Sequence, residues 1–179
     1  MERTDLTKKV LRFAPSPTGY LHIGNIRTAL FNYLQAKKLG AEFILRLDDT
    51  DSERSSQHFI DQIKRDLDWL GINWDRIEQQ SLRIERYRDV LTKLGNQNMV
   101  YECFETSSEL EIKRKKQQKR GLPPVYDREA LNLSEAEKDA LRNEMDGHWR
   151  FMLSGENVNW QDEIAGEINV RTSVVSDPI

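Results

Sequence analysis

Apolar residues along the first hundred positions fall into short clusters of two kinds. Val10, Leu11 and Phe13 form a compact run over Lys9–Ala14 that predicts a strand. It stops at Pro15-Ser16-Pro17-Thr18-Gly19. Two prolines and a glycine there can neither extend a ladder nor enter a helix interior, so the segment reads as a loop. Ile26, Ala29, Leu30, Tyr33 and Leu34 then recur at i, i+3, i+4, i+7 and i+8, one face of a helix that Gly40 stops. Phe43–Leu47 is a second strand, running into Asp48-Asp49-Thr50-Asp51. Strand, loop, helix and strand within about 40 residues is the pattern of a βαβ unit with a parallel sheet. Phe59, Ile60, Ile63, Leu67 and Leu70 make a further helical face closed by Gly71, and Ser81 reads as the N-cap of a helix carrying Leu82, Tyr87, Val90, Leu91 and Leu94, with Gly95 at its end.

Beyond residue 100 the pattern changes. Met99–Phe104 predicts a strand. Thr106 and Glu109 have capping-box spacing for a basic helix ending at Gly121, and Ser134 and Glu137 repeat it for a polar helix ending at Gly147. Leu122–Asp127 reads as an extended loop. Short strands are expected at Trp149–Leu153, Val158–Trp160 and Glu167–Val170. Strands clustered without intervening helices indicate a small α+β insert, so the expected division is 1–100 for an α/β unit and 101–179 for the insert. A sheet built from one βαβ unit lacks neighbours for strands buried on both faces. The expectation is therefore the front portion of a longer protein.

Composition narrows the class. The 179 residues are 37% hydrophobic and 32% charged, a length that suits one domain or two small ones. No apolar run approaches the roughly 20 residues that span a bilayer. Met1–Asp5 leads into no signal-peptide core. A single cysteine, Cys103, excludes an internal disulfide and reads as a small buried hydrophobe, so a cytoplasmic protein is expected. Core packing is the default for Trp69 and Trp149. Net charge is −3, which makes no global case for nucleic acid, yet the first hundred residues sum to +2 and the rest to −5. Within the acidic part, positions 113–120 hold six cations in eight residues.

The run Arg12–Asn25 carries the densest candidate chemistry. It joins the carboxyl end of a strand to the amino end of a helix, the crevice where open α/β sheets bind ligands. Free N–H groups and a positive partial charge at the helix start suit a phosphate. His22 can donate to a phosphate oxygen, Gly24 lets a flat ring approach the backbone, Arg12 can grip a carboxylate with two hydrogen bonds, and Ser16 adds a hydroxyl. The cluster Asp48-Asp49-Asp51 has no histidine nearby and reads as amino-group binding and loop structure rather than a metal site.

This run resembles the ATP-binding signature of class I aminoacyl-tRNA synthetases, here His22-Ile23-Gly24-Asn25, and with Arg12-Phe-Ala-Pro-Ser-Pro-Thr-Gly19 before it, the glutamyl-tRNA synthetase family. Further similar segments follow in the family's order: Leu45–Asp51, Glu53-Arg54-Ser55, Gln80-Ser81 before Arg83, Gly121–Asp127, Trp160-Gln-Asp162 and Gly166-Glu-Ile168. The resemblance implies the first half of a Rossmann-like class I catalytic domain, with the insert gripping the tRNA acceptor end. It implies an ATP-dependent ligase that makes a glutamyl-adenylate and passes the glutamyl group to tRNA(Glu), with Mg²⁺ on ATP, as a monomer. Arg12, Ala14, Ser16 and Asp48 would hold glutamate; Pro15, Ser16, Thr18, Gly19, His22, Gly24 and Asn25 would contact ATP, with His22 and Asn25 as the catalytic pair. Asp48 stands where most members have Glu, one methylene longer, and Asn25 where the signature usually has a second His.

In the insert, Lys113, Arg114, Lys116 and Arg120 are candidates for tRNA phosphate contact; the competing reading is a solvated helix with Glu109 and Glu111 pairing to Lys113 and Lys115. Some relatives carry a cysteine-ligated zinc in this insert. With one cysteine, and with His22, His58 and His148 far apart along the chain, no zinc is expected here. Rival readings are a paralogue that glutamylates a modified tRNA base, a glutaminyl enzyme, another nucleotidyltransferase, and a module that binds ligands without turnover. The 179 residues alone are expected not to aminoacylate tRNA.

Overall fold

In this computed structural model residues 9–179 are described; the amino-terminal segment read above as lacking a secretion signal lies outside them. The chain divides into two compact units, one up to Tyr87 and one from Arg88. The division falls inside a helix rather than near residue 100.

In the first unit, β1 (Val10–Phe13), β2 (Glu42–Leu47) and β3 (Arg76–Gln79) form a parallel sheet in the order β1-β2-β3. Helices α1 (Ile23–Leu39) and α2 (Gln57–Trp69) are the crossovers. The alternation of strand side chains sends Phe13, Phe43, Leu45 and Leu47 to one face, where they pack with Ala29 and Ala36 of α1, Ile60, Ile63 and Leu67 of α2, and Ile72. By the same alternation Arg12, Arg46, Arg76 and Glu78 lie on the other face. Gly40 ends α1 in the left-handed region at φ 59°, and Gly71 follows α2 at φ 70°.

Four sequence expectations change here. β3 is a strand that the residues Arg-Ile-Glu-Gln did not announce. Leu30 and Leu34, expected on the buried face of α1, are exposed. Trp69, expected in the core, is 85% exposed at the end of α2, while Trp74 packs against the core instead. Ser81 caps no α-helix. It starts a 3-10 turn (Ser81–Arg83) that leads into α3 (Ile84–Asn96), and its N–H and hydroxyl both bond to Asp49.

In the second unit, β4 (Val100–Cys103) pairs antiparallel with β5 (His148–Phe151), and β6 (Asn157–Asp162) with β7 (Gly166–Arg171). Helices α4 (Ser107–Lys119) and α5 (Glu135–Glu144) begin at the expected capping boxes, Thr106 with Glu109 and Ser134 with Glu137. The small core holds Tyr101, Cys103 and Ala130. Asp177, 2% exposed, fastens the last segment to it: its carboxylate accepts from Tyr101 Oη at 2.6 Å, from Arg128 at 2.7 and 2.8 Å, and from Leu153 N at 3.0 Å. Trp149, also expected in a core, is half-exposed on β5. Among the described residues no helix is long and apolar enough to cross a membrane.

Candidate active site

The loop between β1 and α1 is fixed at several points. Asp48 N donates to Pro15 O at 3.0 Å, continuing the β1–β2 ladder past the strand ends, and Ser56 N donates to Pro17 O at 3.1 Å. The loop and the first turns of α1 line a cavity of about 810 Å³. Arg12, Ala14, Pro15, Ser16, Thr18, Gly19, His22 and Asn25 all border it. Of the residues expected to bind ligand, Gly24 and Asp48 do not.

His22 is the N-cap of α1. Its Nδ1 accepts the Gly24 N–H at 3.1 Å, and Asn25 Oδ1 accepts the His22 N–H at 3.2 Å, a reciprocal box. A ring nitrogen that accepts carries no proton, so in the neutral ring the proton sits on Nε2. The amide nitrogen of Asn25 is a further donor at the same helix start, and the first turn of α1 holds no acidic residue to repel an anion. Gly24 also serves the cap. A Cβ there would stand 2.9 Å from His22 Cε1 and 3.0 Å from Nδ1, so the glycine makes room for the capping histidine itself.

The acidic run after β2 is occupied within the fold. Arg46 holds Asp48 with two bonds, Nε to Oδ1 at 2.7 Å and Nη2 to Oδ2 at 2.9 Å. Asp49 is buried, accepting from Ser81 N, Ser81 Oγ and Gln79 Nε2; burial opposes its ionisation, but these bonds outweigh it and hold its carboxyl below the ordinary value. Asp51 bonds the Arg54 N–H and guanidinium.

On α4 the expected tRNA-contacting cations separate. Lys113 turns inward, with its ammonium 2.5 Å from Glu129, 3.3 Å from Asp127, 3.7 Å from Glu105, and over the Tyr126 ring. Lys115 pairs with Glu111 at 2.7 Å, whereas Glu109 serves the cap. Arg114, Lys116 and Arg120 are exposed.

A cluster that the sequence did not suggest lies in the second unit. Cys103, Glu105 and His148 place one potential ligand atom each within 4.8 Å of one another, although His148 lies far along the chain from the other two. Tyr126 Oη donates to Glu105 and lies 3.7 Å from Cys103 Sγ. Burial pushes the thiol up and holds the His148 imidazole down, the charge of Arg150 adding to the latter. The Lys113 ammonium lies 3.7 Å from the Glu105 carboxylate, and Arg150 sits 4.2 Å over the Tyr126 ring. The cluster offers a single thiol as a candidate ligand, beside one carboxylate and one imidazole.

Residues 8–179 match the family model described as tRNA synthetases class I (E and Q), catalytic domain. The chain is similar to glutamate–tRNA ligase 1 of Roseobacter denitrificans, 60% identical over 169 residues, and of Ruegeria pomeroyi, 58% identical over 169 residues; each alignment covers 94% of this chain. Among solved structures it resembles a glutamate tRNA ligase from Elizabethkingia meningosepticum in complex with its amino acid, with TM-score 0.80 and 33% identity over 96% of this chain. The chain spans 38% of the length of each of these relatives.

Proposed function

Because the chain belongs to the class I tRNA synthetase (E and Q) catalytic-domain family, we propose that it is the front portion of a cytoplasmic, monomeric glutamate–tRNA ligase. An oxygen of the glutamate α-carboxylate attacks the α-phosphorus of ATP, the bond to the β-phosphate oxygen breaks, and pyrophosphate leaves. A hydroxyl of the terminal adenosine of tRNA(Glu) then attacks the acyl carbon, and AMP leaves. Mg²⁺ travels with ATP and screens its phosphates. The reading calls for no zinc.

The observation that carries the proposal is the capped His22 beside the cavity. Its Nδ1 is committed to the Gly24 N–H, which leaves Nε2–H as a donor that needs no reorganisation to meet a phosphate oxygen. Pro15, Ser16, Thr18, Gly19 and Asn25 shape the ATP side, and Gly24 acts there through the His22 ring that it seats. Arg12 takes the side-chain carboxylate of glutamate with two hydrogen bonds, Ala14 and Ser16 line its pocket, and Asp48 faces the ammonium. Arg114, Lys116 and Arg120 meet tRNA phosphates, while Lys113 holds α4 to its neighbours.

Isothermal titration of this chain with a non-hydrolysable glutamyl-adenylate analogue tests the reading. Binding that disappears in Arg12→Ala supports it. Binding indifferent to Arg12→Ala overturns the pocket assignment.

A further inference from the structure

We propose that Arg46 is a positioning residue for glutamate binding: it aims the Asp48 carboxylate at the ammonium, and it is kept free for this because Arg76 and Arg83 occupy Glu78. The inference deepens the reading above and rests on it.

The argument begins with register. Arg46 on β2 stands directly opposite Glu78 on β3. Facing side chains of opposite charge on adjacent strands ordinarily pair. Here they do not: Glu78 Oε1 accepts from Arg76 Nη1 at 2.6 Å, and its Oε2 is taken by Arg83. Arg76 is itself anchored by Glu42 at 2.8 Å. The Arg83 and Arg76 bonds hold the Glu78 carboxyl below its ordinary range against the opposing effect of burial. With each Glu78 oxygen already engaged by another arginine, the Arg46 guanidinium turns to Asp48 and bonds both of its oxygens.

The consequence is specific to a short acid. Asp48 hangs on the chain just past β2, where Pro15 O accepts its backbone N–H. Two parallel bonds from a planar guanidinium fix both the position and the plane of its carboxylate, and each oxygen keeps a second lone pair for an incoming N–H. A carboxylate one methylene short of the family's usual residue is thereby held in one orientation rather than sampling its rotamers. The Gln80-Ser81-x-Arg83 segment thus acquires a role: Ser81 ties the turn to Asp49, and that turn delivers Arg83 to Glu78.

The test is glutamate-dependent ATP–pyrophosphate exchange by the full-length protein, comparing wild type with Arg46→Gln, Arg46→Lys, Asp48→Asn and the double variant. Arg46→Gln is expected to raise KM for glutamate about tenfold and leave KM for ATP within twofold. Arg46→Lys, which keeps the charge but loses the fork, should fall between. In the Asp48→Asn background, Arg46→Gln should add less than twofold, because its target is gone. Arg83→Met should raise KM for glutamate by releasing Glu78 to compete for Arg46. Equal rises in both KM values, or independent effects that multiply in the double variant, overturn the inference. If Asp48→Asn raises KM for glutamate and Arg46→Gln does not, the inference fails and the site reading stands. If Asp48→Asn changes nothing, the placement of glutamate fails and takes the inference with it.

Discussion

Replacing Gly24 by alanine separates what the α1 terminus does for folding from what it does for ligand. The added Cβ meets the His22 ring at 2.9 and 3.0 Å, so the ring must rotate away and the bond from Gly24 N to Nδ1 is lost. Losing an N-cap costs about 0.5–2 kcal/mol, at the low end for an exposed cap such as this one. Alanine in a helix regains up to about 1 kcal/mol over glycine. The two terms nearly cancel, and the net change in stability is expected within about 1 kcal/mol, a Tm shift of about 2–4 °C at most. ATP binding has no such compensation. A hydrogen bond to a charged group is worth about 1.5–3 kcal/mol, so losing the Nε2–H donor weakens ATP by roughly 10- to 100-fold. His22→Ala loses the cap with no helical gain and should be less stable than Gly24→Ala yet equally poor with ATP. Thermal melts of this chain give the stability arm, and KM for ATP in full-length pyrophosphate exchange gives the other. A Gly24→Ala protein that uses ATP as wild type does, or that loses ATP only in proportion to its loss of stability, refutes the reasoning.

Four further outcomes follow from the second unit. Burial opposes ionisation of Asp177, but bonds from Arg128 and Tyr101 outweigh it and its carboxyl titrates below the ordinary value. Its contribution is therefore full above about pH 3.9, the unfolded value, and is lost as pH falls through the lower folded one. Asp177→Asn should cost about 3 kcal/mol at neutral pH, and urea titrations at descending pH should show the gap to wild type closing; a pH-independent gap contradicts this. Tyr126→Phe leaves Glu105 without its hydroxyl donor and Ala130 N without its acceptor, an expected loss of about 1–3 kcal/mol by urea titration, and elemental analysis of the wild-type chain should find no stoichiometric zinc. Glutamine at Arg114, Lys116 or Arg120 should each reduce the salt slope of tRNA binding by about 0.7–0.9 without changing Tm, whereas Lys113→Gln should lower Tm.

What the sequence disclosed depended on how far apart the cooperating residues lie. The two capping boxes, Thr106 with Glu109 and Ser134 with Glu137, span three residues and were readable at once. The βαβ order and the loop before α1 were readable because prolines and helical spacing are local signals. β3 was not: Ile77 is its single aliphatic residue, and the strand is held by its ladder to β2 and by ion pairs with Glu42 and Arg83, none visible in four residues. The cluster of Cys103, Glu105, Tyr126 and His148 needs three separate segments to meet, and Asp177 needs Tyr101 and Arg128. At the candidate site the residue types were legible, but the use of Gly24 to admit the His22 ring, and the engagement of Asp48 by Arg46, required coordinates.

α4 contains no buried residue. Its footing is the Thr106 cap, the inward Lys113 and the Gln117 bond to Val125 O, so its outward cations can be exchanged, added or removed with little effect on whether the chain folds. A lineage can therefore retune the charge that this helix presents to a polyanion in single steps, each nearly neutral for folding. The start of α1 has the opposite character. There the same histidine ring caps the helix and borders the cavity, so replacing His22 itself alters both properties together. Drift should accumulate on α4 and stall at His22, and a deep mutational scan that counts folded protein and active protein separately would display the two regimes side by side.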